Sequence, residues 1–135
     1  MKKISIVIGA NYGDEGKGST VNALADSNTL VIRCNGGPQM GHTVVHNNIR
    51  HVFSNFSSGT LKGAKTYVAG TAIVNPMTFK KEYNTLKEKG FLPKIFISEN
   101  CIVSTPFDML INQATELALK ENAYGSCGLG IWTKD

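Results

Sequence analysis

Two short glycine-rich stretches carry residue types that can handle phosphate. The first is Gly9-Ala10-Asn11-Tyr12-Gly13-Asp14-Glu15-Gly16-Lys17-Gly18-Ser19. Glycines let the backbone come close to a phosphate. A helix start placed behind such a loop offers unpaired N–H groups and partial positive charge, and Lys17 adds a mobile point charge. Gly16-Lys17-Gly18-Ser19 ends like a Walker A loop, but the spacing from Gly9 is too long for that motif. Asp14 and Glu15 stand where phosphate would be repelled. The loop therefore calls for a divalent cation, or for a carboxylate with a chemical task; oxygen ligands and bound phosphates suit Mg²⁺. The plainer alternative is a glycine turn capped by Asp14 that binds nothing.

The second stretch is Asn35-Gly36-Gly37-Pro38-Gln39-Met40-Gly41-His42-Thr43. Loops that follow neighbouring parallel strands lie side by side at the carboxyl ends of the sheet. Gly41-His42-Thr43 can then face Gly13-Asp14-Glu15-Gly16, which sets a carboxylate opposite an imidazole over a phosphate site. Such a pair can supply a general base and a general acid or hydrogen-bond donor. Taken alone, His42 reads as an ordinary polar loop residue. His42, His46 and His51 fall close together, but their spacing is not expected to put all three on one face of a strand, so they read as neutral surface histidines rather than a metal site.

The elements that must position these residues follow from pattern. Ile4 to Ile8 is a β-branched run that predicts a buried strand, and Thr29 to Arg33 predicts another. Ser19 to Ala25 between them has helical spacing, so a parallel βαβ unit is expected. Gly41 to Phe56 suggests a hairpin turning at Asn47-Asn48. Short strands are expected at Thr66 to Ala69 and Ile95 to Ser98. Pro76 opens a helix that Gly90 stops, and Pro106 to Ala123 forms a second long helix. Gly125 to Gly130 is a last glycine-rich turn. The fold class is α/β: a mainly parallel sheet with flanking helices and a P-loop-NTPase-like nucleotide-binding core, truncated, with residues 1–135 expected to be the N-terminal part of one nucleotide-binding domain.

Composition agrees with that class and excludes others. The chain has 135 residues, 41% hydrophobic and 18% charged, with net charge +4, enough for one core. The positive charge is mild and scattered, with no Lys/Arg run beyond a pair, which argues against nucleic acid. Cys34, Cys101 and Cys127 are far apart and odd in number, so neither a disulfide framework nor a zinc ribbon is expected. No stretch is long enough to cross a membrane, and a cytoplasmic setting is expected.

Gly13-Asp14-Glu15-Gly16-Lys17-Gly18, followed by Gly36-Gly37 and Gly41-His42-Thr43, resembles the adenylosuccinate synthetase family. Ser57-Ser58-Gly59 is similar to the family's Pro-Ser-Gly turn, Gly70 to Pro76 to its Gly-Asn-Gly-Val-Val segment, and Gly125 to Ile131 to its Gly-Thr-Thr-Gly-Arg-Gly-Ile loop. The resemblance implies a ligase that joins IMP to L-aspartate with hydrolysis of GTP, aided by Mg²⁺, through a 6-phosphoryl-IMP intermediate. Carried over by position, Asp14, His42 and Lys17 are catalytic. Asp14 takes the proton from purine N1, His42 stabilises O6 and touches the phosphate in transit, and Lys17 holds phosphate. Nucleotide contacts are implied for Gly13, Asp14, Glu15, Gly16, Lys17, Gly18 and Ser19, for Gln39, Met40, Gly41, His42 and Thr43, and for Ser126 and Cys127. Asp14 and the Gly41 carbonyl are the implied Mg²⁺ ligands.

The family's chains are much longer, so the resemblance places this sequence at their N-terminal part. It also implies a homodimer with small-molecule substrates, and neither nucleic acid nor membrane as partner. Lys62 and Lys65 are the default cations for an aspartate carboxylate. Three departures mark a divergent branch: Pro38-Gln39 stands for the usual His-Asn, Cys127 for a threonine that contacts nucleotide phosphate, and Leu129 for an arginine. A viral branch acts on dGMP and typically lacks the aspartate at position 14, so Asp14 favours IMP. The remaining alternative is a non-catalytic nucleotide-binding fragment.

Overall fold

The computed structural model describes residues 3–131. Helix α1 (Lys17–Leu24) follows the first glycine loop and leads to strand β1 (Leu30–Arg33). A hairpin of β2 (His42–His46) and β3 (Ile49–Phe53) comes next, then a 3₁₀ turn at Ser58–Lys62 and strand β4 (Lys65–Val68). Strand β5 (Ile73–Val74), helix α2 (Pro76–Glu88), β6 (Ile95–Ile97), β7 (Ile102–Val103) and helix α3 (Pro106–Leu119) complete the order, with a last 3₁₀ turn at Lys120–Asn122. Strands β1, β4 and β6 form a parallel sheet in that order, and β5 pairs β7 in parallel.

The local chemistry that sets these elements was partly visible in sequence. Asn47 and Asn48 both adopt left-handed backbone (φ 48° and 63°) and join His46 to Ile49, the geometry that two-residue hairpin turns require. Asn75 caps α2 by accepting N–H bonds from Met77 (3.0 Å) and Thr78 (3.1 Å), with Pro76 in the first turn. Thr105 and Asp108 form a reciprocal capping box at the start of α3.

The core is built where the hairpin, the 3₁₀ turn and α2 meet: Val44, Phe53, Phe56, Leu61 and Leu86, with Phe79 stacked on Phe56 at 4.9 Å. A second small cluster, Val68, Ala72 and Val74, lies under β4 and β5. Glu82 of α2 ties these parts together. Its buried carboxylate accepts the backbone N–H groups of Ser54 (3.1 Å to each oxygen), Asn55 (2.6 Å) and Phe56 (3.3 Å), and the Asn55 side-chain amide (2.9 Å). Arg33 donates to the Ser54 carbonyl beside it.

The structure corrects three expectations. Residues 4–8 form no strand, and Ile4, Ile6 and Ile8 are 87%, 84% and 80% exposed. Among the described residues no strand lies against this segment, so its apolar pattern has nothing to pair with, and the βαβ unit expected from it is not formed. Strand β1 is half exposed rather than buried, because it is the edge of its sheet. The three histidines do share one face: His42, Val44 and His46 alternate along β2, and His51 pairs across from Val44. The error came from reading one strand where the hairpin register governs. His51 is buried, at 4% exposure, not a surface residue. No cluster of three metal-ligating side chains exists among the described residues.

His51 has a defined tautomer. The Lys89 ammonium lies 3.2 Å from Nδ1 and can only donate, so the neutral ring carries its proton on Nε2, which faces Glu82 at 3.7 Å. Burial first, then the Lys89 charge, holds this imidazole below its ordinary value of 6.5. The unfolded chain therefore binds a proton that the folded chain resists. Stability should be complete above the ordinary imidazole range and fall as pH drops through it. Urea unfolding at about pH 7.5 and about pH 5.5 checks this; equal or greater stability at the lower pH would contradict it.

Candidate functional site

The first loop meets the second through one missing side chain. A Cβ placed on Gly18 would lie 2.7 Å from the His42 Cβ and 3.0 Å from the Ser58 hydroxyl. Gly18 is buried in the first turn of α1, so His42, at the start of β2, sits directly on that turn. The expected meeting of Gly41-His42-Thr43 with Gly13-Asp14-Glu15-Gly16 is replaced by a contact of His42 with Gly18, within α1. Asp14 and His42, by contrast, share no hydrogen bond among the described residues; Asp14 is exposed, with φ 58°.

The helix start is open. Gly16 caps α1 in left-handed conformation (φ 79°) and offers no side-chain acceptor, so the first N–H groups of α1 have no side-chain cap. Ahead of it, three donors converge on one anion, the chain's own Glu15. The Asn11 N–H (3.0 Å) and the Gly13 N–H (3.2 Å) donate to Oε1, and the Lys17 ammonium to Oε2. The Lys17 hydrogen bond first, then backbone N–H groups, lowers the Glu15 carboxyl to about 2. Glu15 thus occupies three donors of the loop and its following helix.

His42 carries the electrostatics of the place. Burial pushes its imidazole below the ordinary value, and the nearby Arg33 and Lys17 charges push it further. At neutral pH it is an uncharged ring with one N–H to donate. Arg33 was not singled out in the sequence, although a lone arginine closing the run Leu30-Val31-Ile32 just before a glycine loop was the available signal. Ser58 was seen only as part of a turn motif.

The second loop also reaches the last one. Met40 folds over Gly36, and its N–H donates to the Gly37 carbonyl at 3.1 Å. Gln39 lines a cleft of about 110 Å³ with Ser126, Cys127, Leu129, Ile131 and Asn112. Thr43 is exposed on the outer face of β2. Cys34 and Cys127 are exposed free thiols, while the Cys101 thiol donates to the Ala72 carbonyl at 3.0 Å. Lys62 is not an available clamp: its ammonium bonds the Asn22 (3.0 Å) and Ala23 (3.2 Å) carbonyls near the end of α1. The last residues of the chain, including Trp132, lie outside the described residues.

For Mg²⁺ the donor set is sparse, with no cluster of three metal-ligating side chains among the described residues. Asp14 offers a free carboxylate on the loop, and Gly41 a carbonyl beside His42. These two oxygens cannot cage an ion, which fits a metal that keeps waters and rides on substrate phosphates.

The sheet order and the paired loops define an α/β protein with a phosphate-loop-like core. The family model for adenylosuccinate synthetase matches residues 6–133. The chain is 34% identical over 134 residues to an adenylosuccinate synthetase of Porphyromonas gingivalis, covering 97% of this chain and 32% of that protein. It is 36% identical over 129 residues to one of Vibrio vulnificus, covering 93% and 30%. The solved structure of a fully ligated adenylosuccinate synthetase from Plasmodium falciparum matches with a TM-score of 0.72 at 23% identity, over 90% of this chain and 30% of that one; this likeness bears on the fold alone. The chain belongs to the adenylosuccinate synthetase family, and it spans about a third of the length of these relatives. Among the described residues no helix is long and apolar enough to cross a membrane.

The close approach at Gly18 gives a direct test. In Gly18→Ala the new methyl overlaps His42, whose position is fixed by its pairing with Phe53. Overpacking of this kind costs about 1–3 kcal/mol, so a lowered urea midpoint is expected. An unchanged midpoint would mean that α1 and β2 are not in contact.

Proposed function

We propose that residues 1–135 are the N-terminal part of the GTP- and IMP-binding domain of a ligase that makes adenylosuccinate from IMP and L-aspartate. The observation that carries this reading is His42 seated on the first turn of α1, behind a loop whose donors already converge on an anion. Membership of the family supports the same reaction.

In this reading the donors now held by Glu15, together with the open start of α1, receive GTP phosphates. Asp14, free of internal partners, removes the proton from purine N1 so that O6 can accept the γ-phosphoryl group. His42 donates its N–H to O6 or to the phosphoryl oxygens as negative charge develops there. The aspartate amine then attacks C6 and inorganic phosphate leaves. Asp14 and the Gly41 carbonyl are the groups that would hold Mg²⁺, which would neutralise charge on the phosphates. Glycine-loop residues Gly13 to Ser19, with Gln39, Met40, Gly41, His42 and Thr43, contact nucleotide, and Ser126 and Cys127 contact the purine nucleotide's phosphate. The enzyme acts in the cytoplasm as a homodimer.

Replacing Asp14 by Asn keeps its size and removes the base. In the protein that carries this chain, kcat should fall by at least about 100-fold. The assay supplies GTP, Mg²⁺, L-aspartate and equal IMP and dGMP, and reads product masses. Near-unchanged turnover by Asp14→Asn would remove Asp14 from the chemistry, and a dominant 2-amino product would replace IMP by dGMP as substrate.

A further inference from the structure

The last glycine loop is held in an unusual way. Among the described residues no backbone-to-backbone hydrogen bond joins residues 124–131 to the rest of the chain. Side chains do the joining, most of them from one helix. Glu116 accepts the Gly125 N–H at 3.2 Å and the Ser126 N–H at 3.0 Å. Asn112 accepts the Gly130 N–H at 3.2 Å and exchanges hydrogen bonds with the Ser126 hydroxyl at 3.0 and 3.3 Å. Gln113 donates to the Gly128 carbonyl at 3.1 Å, and Ser104 to the Leu129 carbonyl at 2.8 Å.

Asn112 and Glu116 are four residues apart, so they stand one above the other on α3. Asn112 is only 1% exposed, although α3 is exposed over much of its apolar surface, including Phe107, Leu110, Ile111 and Leu117. A helix that buries an amide while leaving leucines in the open is shaped around that amide's partners. Two of its partners, Ser126 and Gly130, belong to the loop that forms one wall of the cleft with Gln39. Glu116 does not line that cleft; it holds the backbone of residues that do.

We propose that Asn112 and Glu116 are positioning residues that fix the Gly125–Gly130 loop and the Ser126 hydroxyl for the phosphate of the purine nucleotide. This rests on the functional reading above, in which Ser126 and Cys127 meet that phosphate. Glu116 lies outside the cleft, and Asn112 acts at its wall through the Ser126 hydroxyl and the Gly130 N–H. Asn112 sets the direction of the Ser126 hydroxyl, and Glu116 sets the peptide planes on either side of Gly125. Backbone placement matters here because, among the described residues, no lysine, arginine or histidine lines the cleft, so the described wall meets a ligand with N–H and O–H groups that are aimed in advance.

The test uses the protein that carries this chain, with Glu116→Ala, Glu116→Gln and Asn112→Ala. Binding of IMP and of GTP is measured separately by calorimetry, alongside thermal unfolding. Glu116→Ala and Asn112→Ala should weaken IMP at least about tenfold, the order expected for losing a hydrogen bond to a charged or buried partner. GTP, bound at the Gly13–Ser19 loop, should change less than about twofold. Glu116→Gln keeps one acceptor oxygen in the same shape and should recover most of the IMP affinity. IMP binding at wild-type strength in Glu116→Ala would overturn the proposal, as would equal losses for both nucleotides that follow the drop in unfolding temperature. Amide hydrogen exchange at Gly125, Ser126 and Gly130 in the ligand-free protein separates the two readings. If the wild type binds neither nucleotide, the functional reading falls. Loss of protection in Glu116→Ala would still show that α3 fixes the loop, and unchanged protection would refute that.

Discussion

The site depends on the distance between α1 and the hairpin, and that distance is set by an absent atom. Gly18 lies so close to His42 and Ser58 that any Cβ would collide with both. Everything chemical follows from this approach. It puts an imidazole on the first turn of a helix, where N–H groups have no side-chain acceptor. It also brings His42 near the Arg33 and Lys17 charges, which help keep the ring neutral. The hairpin in turn is held by Glu82, whose carboxylate collects the backbone N–H groups where β3 ends. Removing either contact would leave the glycine loops without a fixed relation.

Carboxylates of the chain repeatedly serve as partners for backbone amides that would otherwise be unpaired. Glu82 does so in the core, Glu15 in the first loop and Glu116 in the last. The three differ in exposure and so in consequence. Glu82 is buried and structural. Glu15 occupies the Asn11 and Gly13 N–H groups and the Lys17 ammonium, so under the proposed function nucleotide binding at this loop would exchange one anion for another. Glu116 holds the rear of a loop whose front lines a cleft. In a protein with mild net charge, local carboxylate placement decides which amides are free for ligand.

Much of this was legible in the sequence because it rests on local rules. The Asn47-Asn48 turn, the Asn75-Pro76 and Thr105-Pro106 helix starts, and the stop at Gly90 all follow from backbone preferences of single residues. The glycine loops were legible from their residue types, whereas the approach of His42 to α1 was expected from an order of parallel strands that the described residues do not form. What was not legible is what depends on neighbours. Ile4 to Ile8 has the pattern of a buried strand, but burial needs partners, and none of the described strands is beside it. His51 reads as a surface histidine until the hairpin register puts it opposite Val44. Arg33, Glu82, Asn112 and Glu116 act through contacts 9 to 28 residues away in sequence, and no short motif marks them.

The central claim is that His42 and the Gly13–Ser19 loop form one anion-binding site. The histidine resonances of the protein, followed through a pH titration with and without GTP, IMP and Mg²⁺, test it directly. In the free protein the His42 midpoint should lie below the ordinary imidazole value of 6.5. With nucleotide bound, the neighbouring phosphate charge favours the protonated ring and should raise that midpoint. A His42 midpoint that is the same with and without nucleotide would contradict the account.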